Sequence, residues 1–547
     1  MTQDKVSPAN SQESTSVEAV ASSWTAFQHK EFAVLWLATL ASNIGTWMHD
    51  VGAGWLMTSL SSSPSLVASV QVATSLPIFL LALPAGAMAD IVDRRRLLMT
   101  VQAVMALLAA TLAILVGVER VTPAILLLIT FLMGVCAAFV APAWQAIVPQ
   151  LVVREHLQSA IALNGMGVNI SRAIGPALAG FLIVSIGMAT PFTVNAVSFI
   201  AIIVALGWWR RSRPSQHTNL PAEPFFNAIV IGLRYARAST PLKATLVRAA
   251  AFYFFASANW SLLPLIARRE LRGDARTYGI LLACIGVGAV AGAAFMPRIK
   301  RRLGPDWMVA TGTLIIAGVL LINATVHNVV AAAIGSLMFG IGWIAVLSTL
   351  SISAQVALPD WVRARGLSVY LMVFFGAMSA GSAVWGQVAN FSNMSTPLLV
   401  AAFGAIVAIP LSWRCKLHLG SAMDLAPSMH WPLPLLADEH QHDQDGVMVT
   451  IEYRIAKHDV PEFLLAMKEL ATARKRLGAY AWGIWQDAAE SDRFIEYFLE
   501  SSWTQHLRHH ERVSGSDRMI QDRVNAFHRA AFPPKVCHLL DASTHRD

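Results

Sequence analysis

The chain has 547 residues, of which 55% are hydrophobic and 14% charged, and its mean hydropathy is +0.53. Soluble domains carry roughly a quarter charged residues, so water-soluble packing could not hide this much apolar surface. The net charge of +8 could indicate nucleic acid, but the positions of the charges argue otherwise.

Residues 1–22 are polar and Ser-rich, and lack a basic-then-apolar signal pattern with a cleavage site. We expect a disordered cytoplasmic tail over 1–30. A membrane-spanning helix needs about 20 mostly apolar residues. That ruler predicts spans at 32–59, 65–89, 97–118, 122–147, 157–186 and 191–209, then at 243–267, 277–297, 307–326, 328–351, 365–390 and 395–413. The long connection divides them six and six: a first half over 31–210, a cytoplasmic loop over 211–242, and a second half over 243–414. The lipid bilayer is therefore the first partner.

The two halves share signals. Gly86 followed by Arg94-Arg95-Arg96 returns as Gly292 followed by Lys300-Arg301-Arg302, and Gln145 to Pro149 returns as Gln355 to Pro359. Duplication of this kind builds many secondary transporters, with the substrate between the halves. Loop Lys and Arg number sixteen on one side and five on the other, which predicts both termini in the cytoplasm. The basic balance is thereby used up as a topology signal, and no nucleic-acid partner is expected. Cys136, Cys284, Cys415 and Cys537 show neither disulfide nor zinc spacing.

Residues 415–445 read as a Pro-, His- and Asp-rich linker before a domain at 446–547. Alternation at 447–453, an amphipathic stretch at 461–474, a hairpin at 480–486 and 493–499, a helix at 503–528 and a strand at 535–540 give the order βαββαβ. That order predicts a ferredoxin-like sandwich whose open sheet face pairs with a second copy or docks on the membrane part. The expected fold is therefore an all-α polytopic membrane protein with twelve transmembrane helices in two halves, plus a small α+β domain. Trp482, Trp485, Trp503, His506, His509 and His510 raise the question of haem or metal there. His506 and His510 could share an ion, but no third ligand is evident. We expect solvated helix-face histidines, with no metal and no cofactor.

Within the spans, Asp50 is the costliest residue, with His49 beside it. An intramembrane carboxylate is a candidate proton carrier; an early end to the first span would instead leave it at a wet rim. Arg172 in the fifth span needs a partner or a watery cavity, which suggests either an anionic substrate or a structural pair.

The loop Gly86-Ala87-Met88-Ala89-Asp90-Ile91-Val92-Asp93-Arg94-Arg95-Arg96 resembles the cytoplasmic signature of the major facilitator superfamily, with Ile91 and Asp93 departing from it. Its acid and guanidinium groups suit a conformational latch between helices. Ser171, Gly175-Pro176 and Gly180 resemble that superfamily's antiporter signature, in a degenerate form. Asn43 to Met48, Ala141 to Pro149 and Asn169 to Gly180 resemble the transmembrane secretion effector branch, which includes enterobactin exporters. Residues 447–541 look like the antibiotic-biosynthesis monooxygenase fold. The resemblance implies that the first, fourth, seventh and tenth spans line the cavity, which makes Asn43, Trp47, Phe139, Trp144, Gln145, Tyr253, Phe254, Asn259, Trp260 and Trp343 candidate wall residues.

The expectation is a proton-coupled exporter, in a bacterial inner membrane, of a small organic molecule such as a siderophore, drug or secondary metabolite. Uptake, a terminal domain that modifies the substrate, and one that senses a ligand remain alternatives. No catalytic constellation is evident, so an enzyme is not expected.

Overall fold

The computed structural model describes residues 24–209, 225–300, 302–359, 361–417, 428 and 446–541. A 3-10 turn at Thr25–Gln28 leads into α1 (Lys30–Leu60). The last residues of the expected tail are therefore ordered: the Ala26 amide donates to the Ser159 hydroxyl at 3.3 Å, and Phe27 packs edge-on against Trp36. The rest of that tail lies outside the described residues.

The first half continues with α2 (Pro64–Ile91), α3 (Arg94–Gly117), α4 (Pro123–Leu151), α5 (Leu157–Ser185) and α6 (Thr190–Trp208). The second half comprises α8 (Thr240–Leu265), α9 (Ala275–Lys300), α10 (Pro305–Thr325), α11 (Val329–Val356), α12 (Arg363–Phe391) and α13 (Ser395–Ser412). Local chemistry sets the starts. Proline opens α2, α4 and α10, where its missing amide has no partner to lose, while the Asp93, Thr122, Ser239 and Asn328 side chains cap α3, α4, α8 and α11. Starts of equivalent helices lie about two hundred residues apart, as with α4 at 123 and α11 at 329.

Among the described residues, eleven helices are long and apolar enough to cross a bilayer. The other spanning helix of the duplicated pattern is α1, whose 31 residues suffice in length. Its hydropathy is diluted by Asn43, His49 and Asp50, of which Asp50 lines the space between the halves.

The expected central loop contains a helix, α7 (Phe225–Ala238); residues 210–224 lie outside the described residues. The Tyr235 hydroxyl donates to the Ala357 carbonyl at 3.1 Å, and Arg234 donates to the Gly478 carbonyl at 2.9 Å. α7 therefore bridges the end of α11 and the terminal domain.

That domain is built from β1 (Val447–Arg454), α14 (Val460–Leu477), β2 (Ala481–Gln486), β3 (Arg493–Glu500), α15 (Trp503–Arg512), α16 (Gly515–Asn525) and β4 (Lys535–Leu540). The antiparallel sheet runs β2-β3-β1-β4, the order of a ferredoxin-like sandwich. The helix expected over 503–528 is two helices, because Ser514 forms a capping box with Asp517 that restarts the chain. Alternation buries Val447, Val449, Ile451 and Tyr453 under the helices. Glu496 on the same face accepts from Arg474 (3.2 Å), Tyr453 (3.0 Å) and Trp482 (3.0 Å), which is how a buried carboxylate is accommodated. The linker expected at 415–445 lies almost wholly outside the described residues.

Candidate functional site

Small residues bring the halves together. An ideal Cβ at Gly180 of α5 would lie 2.6 Å from the Ala275 carbonyl of α9, and one at Gly175 would lie 2.6 Å from the Trp47 Cβ of α1. Ser171 is fully buried and donates to the Gly167 carbonyl at 2.9 Å, while the Pro176 carbonyl touches Gly279. The antiporter-like positions are thus the surfaces on which α5 meets α1 and α9, as close helix approach in a bilayer requires.

Between the halves lies a cavity of about 290 Å³ bounded by α1, α2, α5, α8, α9, α11 and α12. Asp50 and Arg172 both line it, together with Trp47, Trp260, Trp343 and Tyr278. Asp50 therefore sits in the bundle's interior space rather than at a frayed rim. No ion pair within 4.0 Å joins it to Arg172 among the described residues. The Arg172 guanidinium instead lies 5.6 Å from the Trp47 ring centroid, and its buried Nε has no hydrogen-bond partner among the described residues. His49 points elsewhere: it is buried, packs edge-on against Phe192 of α6 at 5.0 Å, and neither ring nitrogen meets a hydrogen-bonding group among the described residues.

Of the expected wall residues, Trp47, Trp260 and Trp343 line the cavity. The others do not. Tyr253 is buried against Tyr370 (3.1 Å between hydroxyls), Asn259 accepts from Asn323 at 3.0 Å, and Trp144 donates to Asn164 at 3.0 Å. Phe139, Phe254, Gln145 and Asn43 are also absent from the lining. For the α4 residues the reason is depth: the cavity sits towards the end of the bundle opposite the start of α1 (the distal end), whereas Phe139, Trp144 and Gln145 lie in the half of α4 away from it. Asn259, beside the lining residue Trp260, instead faces α10. α2 and α12 supply wall instead, through Thr74, Phe374, Phe375 and Met378. No signal in a single sequence marked those residues; α12 reads simply as an apolar span.

The distal end is clasped. Arg268, just after α8, donates to the hydroxyls of Thr58 (2.9 Å) and Ser59 (2.8 Å) at the end of α1, and lies 5.6 Å from the Trp55 ring centroid. Arg269 donates to the Ser62 carbonyl, and Ser63 donates to Asn390 at 3.0 Å. At the terminal end, the residues of the expected latch make the following described contacts. Asp93 caps α3 by accepting from the Arg96 amide at 2.9 Å, and Arg95 donates to the carbonyls of Leu206 (2.7 Å) and Gly207 (2.8 Å). Arg95 thus binds α3 to the C-terminus of α6 within one half, where a cation also suits the helix dipole. Arg94 is engaged as well. A Cβ at Gly86 would lie 3.2 Å from Ser368 of α12, so this glycine does sit at the junction of the halves. The Asp90 side chain lies outside what the structure describes.

In the terminal domain, the expectation of solvated histidines is corrected. His506 and His509 are fully buried, and His510 nearly so. Glu500, at the end of β3, accepts from His506 Nδ1 at 2.7 Å and from His509 Nδ1. β4 contributes His538, whose ring centroid lies 4.8 Å from that of His506. Burial pushes the Glu500 carboxyl up, but His509 and His506 outweigh it and hold it down at about 2. Burial, then the neighbouring rings, push His510 down to about 3.

A duplicated bundle of spanning helices enclosing a polar-and-aromatic cavity between its halves defines a multi-pass secondary transporter of small molecules, with the major facilitator fold. The chain belongs to the transmembrane secretion effector family, whose model matches residues 21–546. It is 24% identical over 360 residues to the staphyloferrin A transporter of Staphylococcus aureus, spanning 64% of this chain and 89% of that protein. It is 24% identical over 386 residues to the enterobactin exporter of Salmonella typhimurium, spanning 69% and 90%. The multidrug efflux pump Tap of Mycolicibacterium fortuitum is 23% identical over 403 residues, spanning 70% and 96%. Among solved structures, a POT family transporter has a TM-score of 0.58 at 14% identity, covering 70% of this chain and 96% of that one. A bacterial homologue of the lysosomal transporter Spinster, inward-facing and occupied, has a TM-score of 0.56 at 14% identity, covering 71% and 97%. These two likenesses show the shared fold.

Proposed function

We propose that the protein is a proton-coupled exporter of small, partly aromatic organic anions, a class that includes siderophores, from the cytoplasm across the bacterial inner membrane. The observation that carries this reading is the pairing of Asp50 and Arg172 in one cavity without an ion pair between them. An unpaired guanidinium beside Trp47, facing Trp260 and Trp343, suits an anion with an apolar or aromatic body. A carboxylate in the same space can take up and release a proton as the cavity changes its exposure. Export is favoured over uptake by the relatives that are named exporters or efflux pumps. The basic loops support placing both termini in the cytoplasm, with the Arg268 clasp at the outer end.

The terminal domain reads as an attachment without catalysis of its own. Its buried polar groups Glu496, Arg474, Tyr453 and Trp482 are engaged with one another, and its open sheet face, with Leu539 and Trp485 exposed, suits pairing with a second copy of the chain.

The test is accumulation of labelled siderophores and aromatic anions in cells with and without the gene. Loss of the gene should raise accumulation of at least one anionic compound, and Arg172→Ala should raise KM for that compound more than it lowers the maximal rate. Equal accumulation across the panel, or an Arg172→Ala effect restricted to cations, would sink the reading.

A further inference from the structure

The terminal domain holds a cluster that the transport reading leaves unused. His506 and His510 lie one turn apart on α15, so both rings leave the same face of the helix. β4 brings up His538 from the helix-covered face of the sheet, opposite the buried Val449. One nitrogen from each of the three rings lies within 4.8 Å of the others, and the Nε2 atoms of His506 and His510 are 3.1 Å apart. Two imidazole nitrogens bound to one tetrahedral ion at about 2.0–2.1 Å stand roughly 3.3 Å apart. The observed pair is already near that spacing. His538 would have to close by at most about 1.5 Å, within reach of a ring rotation.

The surroundings match what a ligand set requires. Glu500 is fully buried and accepts from His506 Nδ1 at 2.7 Å. That bond fixes the ring so that Nε2 presents its lone pair to the cluster, the carboxylate–histidine arrangement that supports bound metals. Glu500 also engages His509 Nδ1, which pins the carboxylate against rotation. Trp503 walls the cluster, 5.4 Å from the His506 ring centroid and 6.0 Å from that of His538. Cys537 faces the other side of the sheet, beside Thr450, and adds no thiolate.

We propose that His506, His510 and His538 bind one divalent transition-metal ion, best suited to zinc, with Glu500 as the residue that positions His506. Three neutral imidazoles without thiolate suit a borderline ion such as Zn²⁺, and leave a fourth position for water or an exogenous ligand. The ligand-bearing helix is also a contact with the membrane part: the Arg512 guanidinium, at the end of α15, lies 4.3 Å from the ring centroid of Trp361, in the connection between α11 and α12.

The test uses the full chain, purified in detergent without a polyhistidine tag, stripped with chelator and titrated with Co²⁺ as a visible probe. The proposal expects one equivalent bound with the d–d absorption of a four-coordinate site, and displacement by Zn²⁺. His506→Gln and His538→Gln should abolish that absorption, Glu500→Gln should weaken binding about 10- to 100-fold, and His458→Gln, at an exposed histidine, should leave it intact. Absence of the band in folded wild-type protein would overturn the site, as would a band that survives His506→Gln and His538→Gln. Should those variants fail to fold, the wild-type spectrum and its stoichiometry decide the matter alone.

Discussion

Replacing Arg268 with alanine should open the distal end of the transporter. In the structure this side chain bridges the halves: it leaves the second half just after α8 and donates to Thr58 and Ser59 at the end of α1, while lying over Trp55. The residue is solvent-exposed, so each hydrogen bond is worth about 0.5–1 kcal/mol and the cation–π contact about 0.5 kcal/mol. Their sum, about 1.5–2.5 kcal/mol, exists only while the distal ends touch. Losing it should move the closed-to-open ratio about 10- to 70-fold towards the open form. Spin labels at Arg120→Cys and Val330→Cys, in a background lacking the native cysteines, would report the spacing of the halves by pulsed electron resonance. The long-distance population should grow at the expense of the short one. Superimposable distributions in folded wild-type and Arg268→Ala protein would refute the clasp.

Gly180→Val should be damaging, because its Cβ would press on the Ala275 carbonyl at 2.6 Å; we expect about 1–3 kcal/mol of destabilisation, read as a lower melting temperature in detergent, whereas Gly165→Ala, where a Cβ meets nothing within 4 Å, should change little. The metal-free protein should lose stability in acid through Glu500, whose carboxyl is held at about 2 against an ordinary 4.5. The unfolded chain binds the proton more readily, so this contribution is fully present above pH 4.5 and is lost as pH falls towards 2; its size is on the order of 3 kcal/mol. A terminal-domain unfolding midpoint that stays flat from pH 5 to 3, or that rises on acidification, would contradict it. Leu539→Asp, placing a charge on the open sheet face, should lower the mass read by light scattering from that of the proposed dimer to that of a monomer; a monomeric wild type, or an unchanged dimer mass in the variant, would remove that face as the contact.

Much of the membrane part was legible because its code is coarse. Runs of apolar residues closed by proline, a capping side chain or an arginine cluster mark helices that lipid obliges to satisfy their own backbone, and the predicted spans fall close to the observed ones. α1 was legible too, as the span expected at 32–59, although Asn43, His49 and Asp50 dilute its hydropathy. α7 was missed because the expected span began at 243 and everything before it was read as loop, while Tyr235 gains its partner, the Ala357 carbonyl, only in three dimensions. The cavity wall was half legible. Trp47, Trp260 and Trp343 lie on the helices expected to line it, but depth along a helix does not show in one sequence, so Phe139 and Trp144 were read as wall residues, and Phe374, Phe375 and Met378, on a helix not expected to line it, were passed over. Asp50 and Arg172 were recognisable by their cost in lipid, whereas their sharing one cavity is a property of tertiary packing. The histidine cluster was misread for a similar reason: helical spacing relates His506 to His510, but only the pairing of β4 with β1 brings His538 beside them, and only the end of β3 supplies Glu500.

The central claim is that Asp50 couples proton movement to transport through the cavity between the halves. Its most direct test is transport of an identified substrate into everted membrane vesicles carrying wild-type or Asp50→Asn protein. An imposed pH gradient should drive net uptake in the wild type and none in the variant, while exchange of labelled for unlabelled substrate, which requires no net proton movement, persists in both. Gradient-driven uptake by Asp50→Asn at the wild-type rate would contradict the account.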